Sequence, residues 1–140
     1  MPSPVPTEVS TALAPRRAAL LERATGRVLD LSETPLVDAE GCYDTIFCFV
    51  RTPAEADLDG FLARLREHLA PDGWVYFLEP TVRTGALDRD IPPAIRRARL
   101  FVADLHRFEL ASVPTTFRSF VEAWARFPTP PPDPKTDDVR

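Results

Sequence analysis

Two strand-like runs, "RVLDL" (27–31) and "DTIFCFV" (44–50), end at the residues best placed to meet a ligand. In an open α/β sheet a ligand binds beyond the carboxyl ends of the strands. That rule selects Leu31 and Ser32 after the first run, and Val50 and Arg51 after the second. Arg51 is suited to an anionic group, although a surface arginine needs no ligand. Glu79 and His106 lie near later strand ends and are residue types that serve as general bases. Metal chemistry has no comparable foothold. A zinc site takes about four ligands, and Cys42, Cys48, His68 and His106 are scattered along the chain. Cys48, inside an apolar run, reads as a buried structural thiol. His68, near the end of a helix pattern, reads as a cation meeting the carbonyl dipole.

The elements that must position these residues fit one domain. The chain has 140 residues, of which 44% are hydrophobic and 27% charged, enough for a single core and too few for a second domain. A formal charge of -4 gives no general attraction to nucleic acid or to an anionic membrane. No apolar run approaches the roughly 20 residues that cross a bilayer. The N-terminus "MPSPVPTEVS" has neither the basic nor the apolar part of a secretion signal. The expected location is therefore the cytoplasm. Sixteen prolines concentrate at the two ends, so residues 1–12 and 128–140 read as flexible tails around a single domain spanning 13–127.

Inside that domain strand and helix patterns alternate. Pro15 suits the first turn of a helix through "PRRAALLERA", with Leu20, Leu21 and Ala24 on one side and Gly26 ending it. "DTIFCFV" is an almost unbroken apolar run, suited to burial on both faces. Leu58, Phe61, Leu62, Leu65 and Leu69 fall on one helical face, Asp57 or Asp59 suits its N-terminal end, and Pro71 with Gly73 stops it. "WVYFLEP" (74–80) then follows as a strand, and strand, helix and strand in that length make a right-handed crossover with parallel strands. "IPPAIRRAR" starts a short helix, and "LFVADLHRFEL" (100–110) reads as a strand of imperfect alternation. "FRSFVEAWARF" (117–127) fits either, since Phe120, Val121, Trp124 and Phe127 have helical spacing while the aromatic content favours a strand.

Four segments, "GRVLDLSE", "YDTIFCFV", "LARLREHLAPDGWVYFLEP" and "LHRFELASVPTTFRSFVEAWA", resemble successive pieces of a class I S-adenosylmethionine-dependent methyltransferase of the small-molecule type. The resemblance runs collinearly over about residues 16–127, with Asp72 at the first glycine of that family's Pro-Gly-Gly turn. It implies an α/β fold: a truncated Rossmann-like methyltransferase core whose mostly parallel sheet of about five strands carries an antiparallel strand at the C-terminal end. It also implies a cofactor site at Asp30, Ser32 and Val50. Asp30 matches the family's acidic position after the first strand, but Ser32, Thr34 and Leu36 stand where the family has glycines. Side chains there obstruct the close backbone approach that glycines permit.

Only twelve residues run from Ser32 to Tyr43. The resemblance then implies that the second and third strands, their helices and the ribose-binding acid are missing. Glu33, Asp38 and Glu40 are candidate substitutes, with solvated loop carboxylates as the ordinary reading. The first strand becomes an exposed edge, a site for pairing with a second chain in a homodimer or heteromer. Three readings follow: a diminished methyltransferase that still binds S-adenosylmethionine and a small-molecule substrate, a non-catalytic partner or scaffold subunit, and a small α/β binding module of unknown ligand.

Overall fold

Apolar runs that must bury both faces become the inner strands. The computed structural model describes residues 7–50, 56–84, 87–89, 91–110 and 119–128. Arg51, Asp90, residues 1–6 and the proline-rich stretch from 129 onward lie outside them, as do the side chains of Arg83, Asp88 and Arg89. The elements are α1 (Thr7–Leu21), β1 (Val28–Asp30), a 3-10 turn (Leu36–Asp38), β2 (Tyr43–Phe49), α2 (Leu58–Glu67), β3 (Leu69–Pro80), β4 (Val82–Thr84), β5 (Leu87–Arg89), α3 (Ile91–Arg97), β6 (Phe101–Glu109) and β7 (Ser119–Arg126).

The main sheet has five strands in the order β1-β2-β3-β7-β6. β1, β2 and β3 are parallel, and β7 runs antiparallel to both β3 and β6. β6 therefore points the same way as β1 to β3, and β7 alone opposes them. That is the expected mostly parallel sheet with one antiparallel strand near the C-terminal end. Ile46 and Cys48 of β2, with Val75 and Phe77 of β3, face α2 and α3. Phe47, Phe49, Tyr76 and Leu78 face the other way, into a cluster with Val9, Leu13 and Leu20 of α1. The sheet is thus buried on both sides.

Two boundaries differ from expectation, and one open segment is decided. α1 begins at Thr7, inside the stretch expected to be a tail, and Pro15 lies within it. Proline inside a helix removes one hydrogen bond and costs roughly 3 kcal/mol. Burial of Val9, Leu13 and Leu20 on one face, at about 1.5–3 kcal/mol per fully buried side chain, outweighs that loss. Leu21, expected on the buried side, is 37% exposed. α2 stops at Glu67 and not at Pro71, because strand pairing begins immediately: the Tyr43 N–H donates to the His68 carbonyl at 2.7 Å, and Leu69 pairs with Tyr43. The ambiguous segment is a strand, β7, whose Phe120, Val121, Ala123 and Ala125 are all buried between β3 and β6.

The α2 start follows the expected chemistry. The Asp57 carboxylate accepts the Gly60 N–H at 3.0 Å, capping the helix, and Leu58, Phe61, Leu62 and Leu65 are buried beneath it. Between α2 and the straight part of β3 the ladder slips, since Tyr43 pairs with Leu69 while Thr45 pairs with Trp74. Gly73 makes this bulge feasible: a Cβ there would sit 2.7 Å from Leu69 and 3.0 Å from the Tyr43 carbonyl oxygen. The small β4–β5 ribbon was not foreseen, and strands of three residues are too short to show a period.

A candidate cofactor site at the strand ends

β1 ends at Asp30, and the chain turns at once. The Glu33 and Thr34 N–H groups both donate to the Asp30 carbonyl at 2.9 Å, and the Ser32 N–H donates to Asp30 Oδ1 at 2.9 Å. Asp30 therefore accepts the backbone donors of three successive residues. In a phosphate or nucleotide loop such donors face the ligand; here they face back into the turn. The other carboxylate oxygen, Oδ2, lies 3.8 Å from Arg17 Nη2 of α1. The same guanidinium sits 5.4 Å from the Phe49 ring centroid, which ties the end of β1 to the end of β2.

Val50 follows Phe49 and adopts φ 51°, the left-handed region that a β-branched residue rarely occupies. Its N–H donates to the Leu78 carbonyl at 2.8 Å, and its side chain packs against the aromatic cluster around Phe47 and Tyr76. Of the three expected cofactor residues, the structure joins Asp30 and Ser32 directly. Val50 ends the neighbouring strand, whose Phe47 carbonyl accepts the Leu31 N–H at 3.0 Å.

The linker that replaces four elements of the family pattern is not a free loop. Leu36 and Ala39 pack against the core cluster on the α2 side. Gly41, at φ 73°, turns the chain toward β2; a Cβ there would come within 2.8 Å of Arg27 Nη1. The Gly41 carbonyl accepts from His68 Nδ1 at 2.7 Å, and the Glu40 N–H donates to the Tyr43 hydroxyl at 3.2 Å. His68 thus meets a carbonyl, though one in the linker. Glu33, Asp38 and Glu40 are exposed.

The two candidate bases lie apart. His106 is on β6, three strands from β2, with Nε2 3.3 Å from Asp104 Oδ2. Glu79 is fully buried near the end of β3, and Cys48 of β2 donates its thiol hydrogen to Glu79 Oε2 at 3.1 Å. In sequence 31 positions divide the two, so spacing alone does not pair them. Arg17 stands out in the same way only in the fold, because a helix begun at Pro15 starts about two turns after Thr7 and hides that Val9, Leu13, Arg17 and Leu20 share a face. Among the described residues, no group of three or more His, Cys, Asp or Glu side chains could hold a metal ion, and no helix is long and apolar enough to cross a membrane.

Two clefts open beside these elements. One, of about 630 Å³, lies between the linker and α2, lined in part by Leu31, Leu36 and Phe61. The other, of about 690 Å³, includes Cys42, Asp72 and Arg126.

No protein-family model matches the chain, and no curated protein matches it. Solved structures do. A S-adenosylmethionine-dependent methyltransferase from Leishmania major aligns with TM-score 0.55 and 14% identity, over 85% of this chain and 72% of that one. The glycopeptide N-methyltransferase MtfA aligns with TM-score 0.54 and 13% identity, over 84% of this chain and 90% of its own. The N-methyltransferase NodS from Bradyrhizobium japonicum gives 0.52 and 15%, over 69% of this chain and 58% of its own. At these identities the likeness establishes the fold: a class I methyltransferase-like core, shortened between its first and second strands as they occur here.

Proposed function

We propose that this chain is a methyltransferase-like protein with a degraded S-adenosylmethionine site, acting through binding and not through methyl transfer. The observation that carries this reading is the Asp30 turn, in which the Ser32, Glu33 and Thr34 N–H groups are all taken by Asp30. Methyl transfer from a sulfonium depends chiefly on holding donor and acceptor in line. The groups that would hold the donor are therefore the ones that matter. The residues present do not fit the cofactor: side chains occupy the glycine positions, the Asp30 carboxylate is engaged, and the linker carries only exposed acids where a ribose-binding residue would be needed.

Titration calorimetry with S-adenosylmethionine and with its demethylated product tests this reading. The expected result is no heat and no thermal shift at millimolar ligand. Saturable one-to-one binding that Asp30→Ala abolishes would overturn it.

A second reading, that the chain is a subunit pairing through its first strand with another copy or a different protein, is favoured by the β1 edge. β1 pairs with β2 alone, and Val28 is 41% exposed. The Arg27 carbonyl accepts from Thr45 and the Leu31 N–H donates to Phe47, so residues 27, 29 and 31 address β2. Val28 and Asp30 then turn their backbone groups to the open side, and the Asp30 carbonyl is consumed by its turn. Light scattering over a concentration series checks this reading, and a monomeric mass throughout would count against self-association.

A further inference from the structure

We propose that the cleft between the linker and α2 binds an α-amino acid with a large apolar side chain. Its volume, about 630 Å³, lies within the range of small-molecule sites, roughly 300–1,000 Å³. Pro35, Leu36 and Val37 of the linker make its apolar wall, with the nearly buried Leu31 and Phe61 behind it, while Arg64, Glu67 and His68 supply its polar groups. Phe61, Arg64 and His68 recur at helical spacing, so α2 and its C-cap present them on one side.

The three polar groups differ in kind. His68 Nδ1 is 2.7 Å from the Gly41 carbonyl oxygen. A carbonyl only accepts, so Nδ1 carries the hydrogen in this contact. Arg64 is a fixed cation and Glu67 a carboxylate. Among the described residues, neither side chain makes an ion pair or hydrogen bond, and neither pairs with the other. Other arginines are engaged: Arg16, Arg17 and Arg97 pair with acids, and Arg27 and Arg66 stack on Tyr43 and Phe127.

A carboxylate matches Arg64, an ammonium matches Glu67, and an apolar side chain matches Pro35, Leu36 and Val37. An apolar anion lacking the ammonium would meet Glu67 with like charge. An apolar amine lacking the carboxylate would leave Arg64 unmatched. Of the three, only the zwitterion matches Arg64 and Glu67 together. Leu31 and Leu36 border both this cleft and the expected cofactor loop, but none of the polar groups comes from the Asp30 turn, so the polar groups tell this site from the cofactor reading.

The test uses the full chain with L-phenylalanine as probe, followed by calorimetry and by amide shifts in a nitrogen-15 NMR spectrum. The expected result is saturable binding with shifts at Phe61, Arg64 and His68. 3-Phenylpropionate and phenethylamine, each carrying one charge, should bind about tenfold more weakly, a difference of ~1.4 kcal/mol. Arg64→Gln and Glu67→Gln, both at exposed positions, should each weaken L-phenylalanine by about the same factor while leaving the spectrum otherwise folded. Absence of saturable shifts would overturn the proposal, as would equal binding of the one-charge analogues or binding indifferent to both substitutions. S-Adenosylmethionine carries the same amino-acid group, so it is titrated into Arg64→Gln as well. Heat lost there is binding at this cleft and leaves the cofactor reading standing; heat lost only in Asp30→Ala overturns the cofactor reading alone.

Discussion

Ser32 donates its backbone N–H to the Asp30 carboxylate at 2.9 Å, beside the Glu33 and Thr34 N–H groups that the Asp30 carbonyl takes in the same turn. The same carboxylate lies 3.8 Å from Arg17, so the acid that the family pattern would assign to the cofactor holds the protein to itself.

Asp30→Ala should destabilise the fold by about 1–2 kcal/mol. Loss of a side-chain acceptor from a backbone donor at a turn or cap is worth about 0.5–2 kcal/mol, and a largely surface ion pair adds at most about 1. Urea denaturation measures it. Unchanged stability would show that the carboxylate is not what holds the turn.

Leu13→Ala should cost about 2–5 kcal/mol, the range for a buried leucine, because Leu13 packs under α1 with Val9, Leu20 and Phe47. A shortened chain lacking residues 1–12 should lose stability too, since Val9 is fully buried. A deletion without effect in thermal denaturation would restore the view of that stretch as a tail.

How far the sequence could be read depends on whether a pattern is local. β2 and β3 are legible as short, nearly unbroken apolar runs, and α2 because its apolar residues repeat at a period of 3.6 with the capping acid Asp57 directly before it. The start of α1 is not, because Pro15 is a strong start signal and only the third dimension shows that Val9 and Leu13 are needed to cover Phe47 and Phe49. β7 is undecided on its own, since Phe120, Val121 and Trp124 have helical spacing while the aromatic content favours a strand; its place between β3 and β6 decides it. At the site, the position of Asp30 is legible. Its capture by three N–H groups depends on backbone angles after β1, and the Arg17 contact depends on where α1 crosses the sheet. Neither leaves a trace in residue spacing.

The two thiols should separate cleanly under a thiol reagent. Cys42 is exposed and should react in the native protein, while Cys48 is fully buried and should react only on unfolding. Cys48→Ala removes a donor from the buried Glu79 carboxylate and should cost about 1–3 kcal/mol, whereas Cys48→Ser, which keeps a donor, should cost less. Equal losses for the two variants would mean that packing, not the 3.1 Å contact, sets the value of this position.

Val28→Pro isolates the β1 edge from the fold beneath it. Residues 27, 29 and 31 make the bonds to β2 that hold β1 in place, so the Val28 N–H faces outward and proline removes nothing from the sheet. A partner strand would need that N–H, and the proline ring would also stand in its way. If the edge pairs with a second chain, Val28→Pro should shift the protein to monomer while its thermal midpoint at low concentration changes little. An assembly that survives the substitution would move the interface elsewhere, with β6, whose outer side is also unpaired in the sheet order, as the next edge to test. β6 is the longer edge, but a register slip at Ala103 and the charges of Asp104, His106, Arg107 and Glu109 mark it as a strand built to resist pairing. β1 is protected only by its three-residue length and the charge of Asp30, and it leaves Val28 exposed with an outward N–H, which makes Val28 the residue on which the assembly question turns.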